Sequence, residues 1–435
     1  MAHEKFSYRD IGDLRAKTEE IGGWLPLSED VRILAQEYEL CGRKLGNRIV
    51  YQPMEGCDAA DDGSPGELTL RRYERIARGG PGLVWFEAAA VVPEGRAQKR
   101  QMHINRGNLD NFKKAVEGIK EGCLAGNGFE PVVILQATHS GRYSRPNGLP
   151  EPVIAYNNPL FEMDAPIDKS HIISDSGLKE LEGIYADAAR LAEEAGFDGV
   201  DVKACHRYLI CELLSAFTRE GDYGGSFDNR IRFLTNSIKA AQAATGKNFI
   251  VTTRMNIYDG FPYPYGFGVS GNGGTEPDMS EPVKLAGILH KDLGVETVNL
   301  VMGNPYVNPH VSRPFDNGTY VPDEHPLTGV SRMMRGIAEI QRAHPGLKVI
   351  ASGFSYLRQF APHLAAGMLE QGYAGLAGFG RESLADPGFA RDITAEGRVD
   401  ARRVCLTCGQ CALRLRYGME TGCVLRDDQY KPVRQ

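Results

Sequence analysis

The sequence has 435 residues, 42% of them hydrophobic and 24% charged, with a formal net charge of −6. That length supports one large domain or two ordinary ones, and the composition is that of a soluble globular protein. It excludes several classes: no apolar run reaches the roughly eighteen residues that cross a bilayer, the charged start MAHEKFSYRDIGDLRAKTEE has no apolar signal core, and scattered basic residues in a mildly acidic chain give no reason to expect nucleic acid.

Eight short apolar, β-rich runs follow one another along the chain. They are NRIVYQP near 47, GLVWFEAAAVV near 82, PVVILQATH near 131, GVDVKAC near 199, FIVTTRMNI near 249, TVNLVMG near 297, KVIASGF near 348 and GLAGFGR near 375. Amphipathic stretches lie between them, among them LKELEGIYADAARLAEEAG and FLTNSIKAAQAATG, the latter ending on the helix-stop Gly246. Strands alternating with helices imply right-handed βαβ units and a parallel sheet. Eight such units over this length predict an α/β protein with a (β/α)8 TIM barrel rather than a doubly wound sheet, since no G-x-G-x-x-G follows an early strand.

Several of these strands end in residues that a buried strand does not favour. Gln136 and His139 end the third, Lys203 and His206 follow the fourth, and Arg254 lies late in the fifth. In a parallel barrel the active site sits at the carboxyl ends of the strands; each residue alone reads more readily as a strand cap or a partner of a neighbour, but five at corresponding strand ends point to a site. After the fifth strand a long loop carries Tyr258, Phe261, Tyr263, Tyr265 and Phe267 among glycines and prolines. Long loops at that face often act as lids or pocket walls, so this one is expected either to stack on a flat, hydrophobic substrate or, equally, to form a cation–π cage for a quaternary or tertiary amine.

The chain holds nine cysteines, and in an unexported protein they argue against a disulfide framework. Cys41, Cys57, Cys123, Cys205 and Cys211 are isolated and read as small buried hydrophobes. Cys405, Cys408, Cys411 and Cys423 are different, spaced C-x2-C-x2-C-x11-C just past the last strand. Spacing alone leaves structural zinc and an iron–sulfur cluster equally open.

The stretch 199–233, GVDVKACHRYLICELLSAFTREGDYGGSFDNRIRF, is the most specific. A strand delivers Lys203, His206 and Tyr208 into a loop, and YGGSFDNR follows. This resembles the Old Yellow Enzyme family of flavin-dependent reductases, with its H-x-x-H-x-Y-L and Y-G-G-S-x-x-N-R. LGNRIVYQPM, FEAAAVVPEGR, LQATHSGRYS, TTRMN, IASGF and GFGRESLADP resemble its other strands in order, and residues 1–30 lie outside the likeness as an N-terminal extension. The resemblance implies an FMN-binding barrel over 31–398 and a C-terminal [4Fe–4S] segment over 399–435. The four-cysteine subgroup resembling 2,4-dienoyl-CoA reductase and trimethylamine dehydrogenase carries a [4Fe–4S] cluster at this place, which implies one on Cys405, Cys408, Cys411 and Cys423.

For the flavin, the resemblance implies Pro53, Met54 and Glu55 along the ring, Ala88 near the pyrimidine edge and Gln136 bonded to it. Arg254 would lie by N1 and O2, and Gly353, Gly380 and Arg381 around the phosphate. Cys57 stands two residues past the position that links flavin covalently in some relatives, so the FMN is expected to be non-covalent. Tyr208 is implied as the proton donor, with His206 and Lys203 on the substrate oxygen. Lys203 and Glu55 depart from the family's usual residues.

The implied reaction is reduction of the C=C bond of an α,β-unsaturated carbonyl or carboxylic compound. An amine dehydrogenase or N-demethylase of the same fold is the alternative, disfavoured because a cationic lysine repels a cationic amine. The FAD- and nicotinamide-binding region of longer members is not in this sequence. Electrons are therefore expected through the cluster from a separate ferredoxin or FAD-containing subunit. A cytoplasmic location is expected, and self-association is left open.

Overall fold

A computed structural model describes residues 4–163, 165–318 and 320–431. All eight predicted strands form, in order: β1 Ile49–Tyr51, β2 Leu83–Ala90, β3 Val132–Thr138, β4 Gly199–Val202, β5 Ile250–Asn256, β6 Thr297–Val301, β7 Lys348–Ser352 and β8 Leu376–Phe379. Each pairs with the next, and β8 closes on β1 in parallel, with Ala377 opposite Ile49 and Phe379 opposite Tyr51. The result is a closed (β/α)8 barrel.

Parallel neighbours cannot be joined by a tight turn, so the chain returns between them through helices packed outside the barrel. The two predicted amphipathic stretches are among these, as Asp175–Glu194 and Phe227–Ala244. The second shows why its motif is written as it is. Gly225 takes φ +74°, and the extended Ser226 follows it. The Ser226 hydroxyl then accepts the Asn229 N–H as an N-cap. The helix ends at Ala244, just before the predicted stop.

The two faces of the strands separate as a period of two requires. Val84, Phe86, Val133, Leu135, Val200 and Val298 join the layer between strands and helices. Leu83, Trp85, Val132, Ile134, Ile250 and Ile350 form a second cluster inside the barrel. An antiparallel hairpin that the sequence reading did not anticipate, Tyr38–Leu40 with Arg43–Leu45, adds Leu40 and Leu45 to that cluster and closes the amino-terminal end.

Towards the carboxyl ends the interior turns polar. The Trp85 indole donates to Asp201 (2.8 Å), the Gln136 amide donates to the same carboxylate (2.6 Å), and Gln52 and Asn299 exchange two hydrogen bonds. Buried polar groups persist only when partnered, so this layer is a floor rather than solvent space.

The N-terminal extension is packed on the barrel: Tyr8, Ile11 and Leu14 belong to the main core, and the Trp24 N–H donates to the Ser331 hydroxyl (2.6 Å). Beyond β8 come the short helices Arg381–Ala385 and Phe389–Glu396, then the cysteine stretch with its one helix, Gln410–Arg416. No helix among the described residues is long and apolar enough to cross a membrane.

Candidate functional site

A cavity of ≈ 180 Å³ opens at the carboxyl ends of the strands. Its wall includes Pro53, Met54 and Glu55 after β1, Gln136 on β3, Lys203, His206 and Tyr208 after β4, Arg254 on β5, Gly353 after β7, and Gly380 and Arg381 after β8. Ala88 does not belong. It is buried within β2 and is not among the lining residues, and its carbonyl accepts the Gln101 amide (3.1 Å). His139 is also structural. It is buried, its Nδ1 accepts the Gly141 N–H, and burial lowers its pKa to about 4.

Arg254 is the electrostatic centre. It is 7% exposed, and among the described residues its guanidinium has no hydrogen-bond or ion-pair partner. Its backbone alone is engaged, the N–H donating to Asp201 (2.6 Å) and the carbonyl accepting the Ala204 N–H (3.0 Å). Burial holds its pKa below the usual guanidinium range. A buried, unpaired cation is costly by several kcal/mol, so its persistence at a cavity wall fits an electron-rich ligand. Opposite, Gly353 takes φ +105°, and a Cβ there would stand 2.1 Å from the Met333 sulfur. The Gly353 backbone is thereby packed against Met333, where a side chain would not fit.

The β4 loop holds the reactive side chains in a strained path. His206 and Arg207 take φ +63° and +62°, left-handed values that non-glycine residues rarely adopt. The strain is anchored by Arg207, wholly buried, which donates to Asp259 and Ser215 (2.6 Å each) and to Tyr156 (2.8 Å). Burial, followed by the charges of Arg254, Lys203 and Arg313, pushes the His206 pKa well below its ordinary value, so the imidazole is neutral. Burial, reinforced by Glu55, pushes the Tyr208 pKa well above its ordinary value, so the phenol keeps its proton.

The structure changes the expectation for Lys203. Its Nζ donates to Glu55 Oε1 at 2.9 Å, with both side chains largely shielded from water, and lies 3.9 Å over the Tyr208 ring. It is an ion-paired lysine, not a free cation aimed at substrate. Glu55 also lies 3.4 Å from the Tyr208 hydroxyl through each carboxylate oxygen.

The aromatic loop after β5 does not wall the cavity as expected. Tyr258, Phe261 and Phe267 are buried against other parts of the fold, Tyr258 under Arg332 and Phe261 against Phe161, while Tyr263 is 44% exposed beside Phe217. Tyr306, in the loop after β6, lines the cavity instead, its hydroxyl meeting that of Tyr208 at 2.8 Å and its ring stacking on Tyr143 at 3.8 Å. The position of NPYVNP directly after a barrel strand was the available signal for Tyr306.

Cys405, Cys408, Cys411 and Cys423 gather on one small cavity of ≈ 20 Å³, and all four are free thiols. Cys411 and Arg381 line both this cavity and the larger one. The Thr407 N–H points at the Cys405 sulfur (3.4 Å), and the Cys405 N–H donates to Glu382 (3.0 Å). Among the described residues no three His, Cys, Asp or Glu side chains are gathered as the ligands of a single metal ion. A multi-iron cube holds its thiolates around a larger core than a single ion does, and four thiols around one enclosed cavity fit that chemistry.

The pattern of the NADH:flavin oxidoreductase / NADH oxidase family matches residues 39–268. An NADPH dehydrogenase of Listeria monocytogenes is 34% identical over 230 residues, covering 52% of this chain and 64% of the relative. An N,N-dimethylglycine/sarcosine dehydrogenase of Chromohalobacter salexigens is 25% identical over 399 residues, 90% of this chain and 52% of the relative. Thus the matched part spans between about half and just under two thirds of these relatives. A solved 2-naphthoyl-CoA reductase, in complex with 2-naphthoyl-CoA, superposes with a TM-score of 0.74 at 19% identity, covering 91% of this chain and 57% of that one, which is a likeness of fold. The chain belongs to the NADH:flavin oxidoreductase / NADH oxidase family.

Proposed function

We propose that this member of the flavin oxidoreductase family reduces the C=C bond of an α,β-unsaturated carbonyl or carboxylic compound, with FMN at the barrel mouth and a [4Fe–4S] cluster on Cys405, Cys408, Cys411 and Cys423. The observation that carries the reading is one cavity shared by a neutral His206, a protonated Tyr208 and the unpartnered guanidinium of Arg254. When bound, FMN supplies a hydride donor and the cluster an entry for single electrons, neither of which side chains provide.

The chain's own residues divide the remaining work. Pro53, Met54 and Gln136 would hold the flavin ring, Arg254 would face its electron-rich edge, and the backbone at Gly353 and Gly380, with Arg381, would hold the phosphate. His206, a neutral donor, binds the substrate's carbonyl oxygen and withdraws density from the conjugated bond. Tyr208 delivers a proton to the α-carbon, and Tyr306, in hydrogen-bond contact with it, is placed to restore that proton. Lys203 and Glu55 act together, fixing the Tyr208 ring beneath an ammonium and its hydroxyl beside a carboxylate. Electrons enter from a separate donor protein, a ferredoxin or FAD-containing subunit, in a cytoplasmic setting.

One observation favours the alternative, an amine dehydrogenase. With Glu55 neutralising Lys203, the charge that would repel a cationic amine is largely cancelled. The likeness to the N,N-dimethylglycine/sarcosine dehydrogenase also runs along 90% of the chain. Anaerobic photoreduction followed by mixing separates the two readings. Reoxidation of the reduced flavin by enones or enoates is expected. Reduction of the oxidised flavin by methylated amines, with enones and enoates inert, would replace the first reading with the second.

A further inference from the structure

A second cavity, of ≈ 210 Å³, lies between the loop after β6 and the helix Gln410–Arg416. Arg313, Arg381, Arg416 and Ala412 line both it and the barrel-mouth cavity, so these side chains form the partition between the two. The guanidiniums of Arg313 and Arg416 converge on a single acceptor: both donate to the Pro305 carbonyl, at 3.1 and 2.6 Å, and Arg416 donates also to the Tyr306 carbonyl at 3.2 Å. Among the described residues neither forms an ion pair with a carboxylate. Glu55, the acid nearest the reacting groups, is already taken by Lys203.

Two like charges drawn to one neutral carbonyl repel each other, and a partial charge does not cancel them. Each guanidinium carries five N–H groups, and the bonds to Pro305 and Tyr306 occupy few of them. The cysteine segment accounts for part of this charge, since Arg313 acts on the Cys411 thiol after Arg381, whereas Arg416 is not so engaged. The cysteine cavity has its own guanidiniums, Arg381 and Arg426, and neither Arg313 nor Arg416 lines it. Arg381 is also the arginine adjoining Gly380, where the flavin phosphate belongs. The surplus faces the substrate side, with Arg313 close enough to act on the charge of His206.

We propose that Arg313 and Arg416 form a carboxylate-binding subsite, and that the substrate carries a carboxylate which docks there while its reacting bond lies at Tyr208. Two planar forks fixed at one carbonyl suit the two oxygens of a carboxylate, one to each guanidinium. The second cavity gives room for the acidic end beyond the partition. The subsite deepens the proposed function and rests on it for the choice of reacting bond, but its ligand chemistry is testable separately.

The test uses the FMN- and iron-loaded protein with cinnamate, its methyl ester and the unreactive 3-phenylpropanoate. In the parent, 3-phenylpropanoate should perturb the flavin spectrum at millimolar concentration or below. Arg313→Gln and Arg416→Gln should each weaken that binding, and raise KM for cinnamate, by about 10- to 100-fold, the loss of one charge-assisted contact. The methyl ester, which lacks the anionic group, should lose much less than the acid in either variant, and Arg313→Lys should recover part of the affinity for the acid. Calorimetry with 3-phenylpropanoate gives the same comparison without turnover. The subsite is overturned if acid and ester lose equally, if inorganic phosphate competes where the carboxylate does not, if the parent binds no carboxylate, or if the variants lose FMN or iron instead. Arginine-dependent binding of acids that are never reduced would keep the subsite and sink the ene-reductase reading. Reduction of acid and ester alike would do the reverse.

Discussion

The barrel mouth and the cysteine segment meet at Arg381 and Cys411, yet they are held by different physics. Residues of the mouth come from strands far apart in the chain, each locked by ladders on both sides and by two apolar layers. The stretch from Cys405 to Cys423 contains one seven-residue helix, no strand, and side chains that are mostly half-buried. It is tied to the barrel by polar contacts. Arg71 and Arg75 both bind Asp427, Arg100 donates to Glu420 (2.8 Å), and the Thr421 N–H donates to the Gly56 carbonyl (2.7 Å). A scaffold with a large core tolerates strain and an unpaired cation at its site. A segment without one would depend on the proposed cluster for order.

Cys411→Ser is the strongest way to break that contrast. Iron should fall from about four per chain to nearly none. Amide exchange across 405–427 should accelerate while β1–β8 keep their protection. Full iron retention, or a barrel that loosens as much as the segment, would show that the two regions are not independent in this sense.

Tyr208→Phe acts on the mouth alone. It removes one hydroxyl and keeps the ring beneath Lys203, so oxidation of the reduced flavin by an enone should slow by about 10²- to 10⁴-fold. Iron content and the exchange of the segment should not change. A parental rate in this variant would make Tyr208 a packing residue and move attention to Tyr306, the hydroxyl beside it.

The smallest effect concerns the ties between the regions. Burial would raise the Asp427 pKa, but Arg71 and Arg75 outweigh it and hold the carboxyl below its ordinary value. A depressed carboxylate contributes stability above its unfolded pKa, near 3.9, and loses it as pH falls through the folded value. The segment should therefore loosen below about pH 4. Asp427→Asn should mimic this at neutral pH, costing about 1–3 kcal/mol of local opening free energy by hydrogen exchange. Equal exchange in parent and variant would assign the attachment to Glu420 and Thr421 instead.

The eight barrel strands were legible because a parallel strand buried on both faces reads as a short, nearly continuous apolar run, and its polar last residues mark the open end. Gln136, Lys203, His206 and Arg254 were found in this way, and all four line the cavity. The hairpin at Tyr38–Leu45 escaped because its strands are three residues each, too short for a period to show. The aromatic loop misled because composition marks a loop as sticky without saying which way it folds. Phe261 and Phe267 turned inward to satisfy their own burial.

What the sequence determined by itself is local: strand identity, helix starts such as Ser226, and the cysteine spacing, all written in neighbouring residues. What only the tertiary structure decided is pairing across the mouth. Lys203 meets Glu55 across 148 positions, Tyr208 meets Tyr306 across 98, and Arg313 and Arg416 share the carbonyl of Pro305. Such contacts depend on barrel closure and strand register, which bring loop ends together from every side of the ring. A repeat of two or of 3.6 residues carries no information about which loop will face which.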